Sequence, residues 1–415
     1  MHILVVTQYF WPENFRINDL VSGLIGRGHR VTVLTGIPNY PEGKYYDGYG
    51  PFQKHEQEYA GARVVRVPIL SRGKGRGFRL TLNYLSFVIS ACLLGPLRCR
   101  NNYDLIFVFG LSPITLVLPA LFFKKIHKIP LMLWVQDLWP ESLIAAGAVS
   151  SPAVIGMVGR LVKLIYNRCD RILITSRAFV SSIIQYVNDN GQICYLPQYA
   201  EDVYHVVNPF DNTPERLLIP EGFVVMFAGN IGAAQDFETI ISAAAQLREY
   251  KDIHFVVLGD GRMRQWVEGE ISRLQLSDTF HLLGRYPLES MPYFFSLADA
   301  MLVTLKKNPI FSLTIPAKIQ SYLACGRPII AALDGEGARI IEEAAAGYTC
   351  TTEDPTALAA TILQTRNTLD DQRRLAGENG LKYYRTHFDR NMLIDRLELW
   401  MKQLVAENKK KSADL

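Results

Sequence analysis

Between Glu58 and Asp104 the sequence has no acidic residue, although Arg63, Arg66, Arg72, Lys74, Arg76, Arg79, Arg98 and Arg100 supply eight positive charges there. The formal net charge is only +4 over 415 residues, so the remainder sums to about −4 and basic character is confined to that stretch. Such a balance gives no support to a nucleic-acid partner. The turn after the first apolar run, QYFWPENFR, has no glycine. The Gly23, Gly26, Gly28 spacing falls at the end of the next helical segment, where it reads as a helix stop and not as a dinucleotide fingerprint. No Walker glycine-lysine loop, HExxH or CxxC pattern occurs, which removes support for ATPase, dehydrogenase and zinc hydrolase chemistry and leaves no metal or cofactor expected. The six cysteines, Cys92, Cys99, Cys169, Cys194, Cys325 and Cys350, mostly sit inside apolar runs, as reduced buried thiols do. The opening MHILVVTQYF carries no charged region and no small-residue cleavage site, so a cytoplasmic chain is expected.

What is present is apolar: 49% of the residues are hydrophobic and 20% charged, which excludes disorder, collagen and coiled coil. The length exceeds what one hydrophobic core fills, so two domains are expected. Short β-branched and aromatic runs alternate with helical-period segments, the pattern of βα units around a parallel sheet buried on both faces. The first half offers runs at 2–8, 30–36, 63–69, 104–110, 131–137, 171–176 and 193–198. The second restarts at 223–230 and continues at 253–260, 280–285, 300–306, 327–333 and 347–352. Between them EDVYHVVNPFDNTPERLLIPEG is polar and aperiodic, a linker. The expected fold class is α/β, two doubly wound Rossmann-like domains facing a central cleft. An amino-terminal domain spans 1–205, a carboxy-terminal domain 206–385, and a helical tail, free to cross back to the first domain, spans 386–415. Ligands on such sheets bind outside the carboxyl ends of the strands, and the cleft between two domains is the default site.

The strongest pattern is LTIPAKIQSYLACGRPIIAALDGEGARIIEEAAAGY, from Leu313 to Tyr348. A helix starting near Ile315-Pro316 presents unpaired N–H groups and a partial positive charge, suited to a diphosphate. Lys318 in that first turn opposes the helix dipole; it is either a cation awaiting a diphosphate or a surface lysine. Gly335, Glu336 and Gly337 follow the run RPIIAAL, where a loop can bring N–H groups to a sugar or phosphate, or simply turn. Together with QYFWPENFRINDL, GHRVTVLTGIPNYPEGKYYDGY, WVQDLWPES, FAGNIGAAQ and HLLGRYP, this segment resembles retaining family 4 glycosyltransferases of the GT-B fold. Within that family the match is to the branch that builds O-antigen and capsule repeats, including L-fucosamine transferases.

The resemblance implies that the second domain binds the nucleotide sugar through Asn230, Gly232, Arg285, Lys318, Ser321, Gly335, Glu336 and Gly337. The sequence departs from the family where two glutamates usually stand, having Leu313 and Ser321 instead. The ribose-reading role then passes to Ser321, Gln320 or an acid such as Glu336, Glu342 or Glu343. Asn230 and Gln235 stand where an arginine and a lysine are common, which makes Lys318 and Arg285 candidates for the missing positive charge. Lys318 and Asp137 are the catalytic candidates.

In the first domain Asp137 ends a very apolar run, where a carboxylate is either the acceptor-side catalytic group or a helix cap; Glu141 reads as first-turn charge. Glu13, Asn14 and Arg16 follow the first strand and, with Asp137, are expected at the acceptor. His29 reads as structural. Residues 71–100 place basic residues before an apolar run at 80–97 that Thr81, Asn83, Ser86 and Ser90 interrupt. It is marginal for crossing a bilayer, and is either a monotopic contact or a core helix. The implied function is a transferase moving a UDP-linked amino or deoxy sugar, with retention, to an undecaprenyl-diphosphate-linked acceptor. It would sit peripherally on the cytoplasmic side of the inner membrane and use no cofactor beyond its donor. A nucleotide-sugar epimerase of the same fold and a non-catalytic binding protein are the alternatives.

Overall fold

The computed structural model describes residues 1–73, 77–145, 147, 149, 151–208 and 213–413; Lys74 and Arg76 of the basic stretch lie outside them. The chain divides into two compact units, Met1–Pro197 with Asn391–Leu415, and Gln198–Arg390. The first division precedes residue 205 because the linker sequence groups with the second unit.

In the first unit β1 (His2–Val6), β2 (Arg30–Gly36), β3 (Glu56–Tyr59), β4 (Ala62–Val67), β5 (Leu105–Gly110), β6 (Leu131–Val135), β7 (Arg171–Ile174) and β8 (Ile193–Tyr195) form one sheet in the order β3-β4-β2-β1-β5-β6-β7-β8. Every neighbour pair is parallel except β3 with β4. Ile3 lies opposite Val31 on one side and Leu105 on the other. The runs HILVV, LIFVFG and LMLWV are buried throughout, as strands covered on both faces must be. The sequence pattern missed β3, EQEY, because it is a half-exposed polar edge strand with no apolar run. Its hairpin closes through Ala60 and Gly61, at φ 49 and 85, the left-handed pair that a two-residue turn requires.

The second unit holds β9 (Phe223–Ala228), β10 (Ile253–Leu258), β11 (Phe280–Gly284), β12 (Ala300–Thr304), β13 (Ile329–Ala332) and β14 (Gly347–Cys350) in the order β11-β10-β9-β12-β13-β14, all parallel. Strand order reverses between β1 and β5 and again between β9 and β12, which places a crevice outside the carboxyl ends at each point.

Two helices bear on function. In Gly77–Arg98, Asn83, Phe87, Ala91 and Gly95 recur every four residues on the buried face. The opposite face exposes Leu85, Ile89, Leu93 and Leu97. Among the described residues it is the helix long and apolar enough to cross a membrane, yet only 22% of its apolar window is buried, unlike a core helix. The tail helix Arg390–Ala413 buries Leu393, Ile394, Leu397, Met401, Leu404 and Val405 along one stripe. Asp395 pairs with Arg27 and Glu398 with His29 at 3.0 Å, so His29 is a structural residue.

Candidate functional site

At the carboxyl edge of the second sheet the loops after β9 and β10 interlock through glycine. Gly229 and Gly259 lie at φ 143 and 134. A Cβ on Gly259 would come within 1.9 Å of the Gly229 carbonyl oxygen, and one on Gly261 within 2.3 Å of that of Ile231. Into this corner reaches Lys318, in the first turn of the helix Ala317–Ala324. Its Nζ donates to Gln235 Oε1 at 2.6 Å and stands 3.7 Å from the centroid of the Phe227 ring. Among the described residues no carboxylate pairs with it. Desolvation therefore pushes the ammonium down to a pKa of about 7. An enclosed cation at a helix amino end is opposed by the dipole and calls for an anion.

The helix Glu336–Glu343 starts from Gly335, at φ 77, where a Cβ would meet the Ser312 carbonyl oxygen at 2.1 Å. Its first intrahelical bond runs from the Arg339 N–H to the Gly335 carbonyl, so the preceding N–H groups have no partner within the helix. A cavity of about 190 Å³ lies at the same edge, with Lys306, Lys307, Asn308, Phe311, Asp334 and Thr352 in its wall. A fixed cation at a helix amino end suits an anionic group, while the cavity wall contains neither Lys318 nor the start of the Glu336–Glu343 helix.

The first sheet ends in bulky loops. Asp137, just past β6, is enclosed; burial raises its pKa above the ordinary carboxylate value, against the opposing effect of hydrogen bonds from Ser112. Its Oδ2 accepts the Ser112 N–H at 2.8 Å, and Trp139 donates to the Ser112 hydroxyl at 3.1 Å. Beside this lies an aromatic cluster that the sequence did not reveal. Tyr9 stacks on Phe15 at 5.2 Å, Tyr40 meets both rings, and the Arg72 guanidinium sits 4.8 Å from the Tyr40 centroid. Tyr84, from the Gly77–Arg98 helix, is hydrogen-bonded to Tyr9 and feels the charges of both Arg72 and Asp137. Tyr9 and Tyr40 follow β1 and β2 directly, so strand ends alone could have nominated them; Tyr84 could not be found this way.

Several expected residues fall where a ligand could reach them. Asn230 is exposed, and a side chain on Gly232 would collide with its Nδ2 at 2.5 Å, so the glycine lets the amide fold over the loop. Arg285 is exposed after β11, with its Nε 3.4 Å from Asp260 after β10. Asn14 is exposed, and Arg16 opens the helix Arg16–Gly26. Ser321 is buried inside its helix.

Two readings are corrected. Glu13 is an internal brace and not an acceptor contact: Oε1 accepts the N–H groups of Asn39 and Tyr40, both at 2.7 Å, and Oε2 that of Phe10 at 3.2 Å. Burial outweighs these donors and raises its pKa to about 7. Glu336 does not offer a free carboxylate to a ribose, since Arg339 occupies Oε1 at 2.8 Å and Oε2 at 3.0 Å. At Gly337 a Cβ would meet Leu333 at 2.8 Å and Pro316 at 3.2 Å, so the glycine is required by packing and offers a ligand only its backbone. Among the described residues no group of three His, Cys, Asp or Glu side chains could hold a metal ion.

Comparison with known proteins places this geometry. A family described as glycosyl transferase 4-like domain matches residues 14–198, and one described as glycosyl transferases group 1 matches 222–367. The chain is 29% identical over 307 residues to the glycosyltransferase WbjE of Pseudomonas aeruginosa, covering 71% of this chain and 72% of that protein. To the colanic acid biosynthesis glycosyl transferase WcaI of Escherichia coli it is 23% identical over 345 residues, 79% of this chain and 82% of that one. The solved structure of HepE from Anabaena, in complex with UDP and glucose, superposes with a TM-score of 0.69 at 15% identity over 96% of this chain and 99% of that one, a likeness of fold.

Proposed function

We propose, from the premise that this chain belongs to the glycosyltransferases of the GT-B fold, that it transfers a sugar from a nucleotide diphosphate donor to an undecaprenyl-diphosphate-linked acceptor in surface polysaccharide synthesis. The observation that carries the reading is Lys318, a desolvated ammonium that sits in the first turn of a helix and pairs with no carboxylate among the described residues. A donor diphosphate supplies the missing anion, and as the bond from the anomeric carbon to the β-phosphate oxygen breaks, Lys318 and the helix N–H groups stabilise the charge left on the phosphate. That HepE binds UDP and that WcaI is named for colanic acid biosynthesis supports a UDP-linked donor and a polysaccharide product. Asp137, at the carboxyl edge of the first sheet, accepts a hydrogen bond from the acceptor hydroxyl and orients its oxygen.

In this reading the donor is an amino or deoxy sugar, the anomeric configuration is retained, and the apolar face of Gly77–Arg98 attaches the enzyme to the cytoplasmic side of the inner membrane. The exposure of Leu85, Ile89, Leu93 and Leu97 supports the attachment. Incubation with a panel of nucleotide sugars and a synthetic lipid-linked acceptor tests the reading. One donor should yield a product whose new linkage keeps the donor's anomeric configuration by NMR. Nucleotide binding without turnover on any acceptor would return the chain to a binding role, and conversion of the donor alone would make it an epimerase.

A further inference from the structure

We infer that Arg72, with the hydroxyls of Tyr9, Tyr40 and Tyr84, forms a seat for the diphosphate of a prenyl diphosphate acceptor. This rests on the lipid-linked reading above and adds the residues that would recognise the anion.

The arginines of the acid-free stretch show the contrast. Arg63 is spent on Glu56 at 2.6 Å, Arg66 on the carbonyls of Trp11 and Gly36, Arg79 on Ser71, and Arg98 on the Arg66 carbonyl. Arg72 differs. Its guanidinium lies over Tyr40 and, at 5.9 Å, over Tyr9, and its NH1 reaches the Tyr9 hydroxyl at the outer limit of 3.5 Å. Among the described residues no carboxylate pairs with it. A guanidinium supported by rings keeps its in-plane N–H donors directed outward, the fork that fits phosphate oxygens.

The placement is rigid. The Arg72 N–H donates to Asn39 Oδ1 at 3.0 Å, and Asn39 is itself fully buried and held by Glu13. Asn83 and Ser86 tie the helix Gly77–Arg98 to Leu70, two residues earlier. Burial raises the pKa of Tyr9 and Tyr84, so both phenols stay protonated; one O–H serves the hydrogen bond between them and the other can donate to an anion.

Two neighbours narrow the ligand. Tyr84 interacts with the charges of both Asp137 and Arg72, so the seat and the carboxylate share one neighbourhood. On the other side the exposed row Leu85, Ile89, Leu93, Leu97 begins one residue after Tyr84. A charged seat at one end of an apolar row matches an anion with a hydrocarbon tail; a soluble nucleotide has no use for the row.

Calorimetric titration of the full-length protein with farnesyl diphosphate, inorganic pyrophosphate and UDP tests the seat. Arg72→Gln should weaken farnesyl diphosphate and pyrophosphate by roughly 10- to 100-fold and leave UDP unchanged. Arg72→Lys, which keeps the charge and loses the fork, should fall between, and Tyr84→Phe should cost a few-fold. Farnesyl diphosphate should bind more tightly than pyrophosphate. Equal affinity for farnesyl diphosphate in wild type and Arg72→Gln, or no binding by either, overturns the proposal, as does an equal loss of UDP. If Arg72→Gln fails to fold, the Arg72→Lys and Tyr84→Phe titrations decide in its place. If the seat binds as described while turnover requires an acceptor without lipid, the lipid-linked-acceptor reading fails and the seat stands.

Discussion

The two sheets end in loops built by opposite means. After β9, β10 and β13 backbones approach one another through Gly229, Gly259, Gly261 and Gly335, so these loops are narrow and carry little side chain. After β1, β2 and β6 the same positions hold Tyr9, Tyr40 and Trp139, with cis peptide bonds before Pro12, Pro41 and Pro140. The cations differ in the same sense. Lys318 is a compact, half-buried charge whose pKa desolvation lowers, whereas Arg72 is a delocalised one laid on aromatic faces. Glycine loops suit a close grip on a small anionic group; bulky loops shape a platform for a larger acceptor.

The comparison breaks most sharply at Gly259. Gly259→Ala places a methyl inside the Gly229 carbonyl at a φ that alanine avoids, so roughly 3 kcal/mol or more of stability should be lost in urea unfolding. An unchanged midpoint would show that the loops have room to part. Asp137→Asn is nearly isosteric and should lower kcat by roughly 100-fold or more with little change in donor affinity. Normal turnover would leave Asp137 as a brace for Ser112.

Lys318→Ala should weaken the donor by about 1.5–3 kcal/mol, the range for a hydrogen bond to a charged group. The pH dependence sharpens this. Lys318 is charged below about pH 7 and neutral above it. A bound diphosphate raises that pKa, so above pH 7 binding takes up a proton and affinity should fall by up to roughly tenfold per unit. The slope should vanish in Lys318→Ala; a slope that persists belongs to another group. The smallest effect concerns the helix Gly77–Arg98. Ile89→Asp with Leu93→Asp should release a few-fold more protein from anionic vesicles while leaving the fold intact, since both side chains are exposed. Vesicle binding equal to wild type would remove the apolar row from the membrane contact.

Much of this was legible from residues alone. Runs such as HILVV and LIFVFG are apolar without interruption because their strands are buried on both faces, and that requirement marks sheet, strand positions and two-domain plan along the chain itself. Asp137 could be nominated because it ends such a run, and Lys318 because it follows a proline at a helix start. What the tertiary structure decided was which polar groups were already engaged. Glu13 and Glu336 read as available carboxylates until Asn39, Tyr40 and Arg339 were found on their oxygens. Arg72 read as one basic residue among eight until Tyr9, Tyr40 and Tyr84 surrounded it without a carboxylate. Gln235 and Lys318 lie 83 positions apart and meet at 2.6 Å. The periodicity of burial is a property of neighbouring residues and is written along the chain. The partner of a charge is set by distance through space, which only the packing of the sheet and its loops determines.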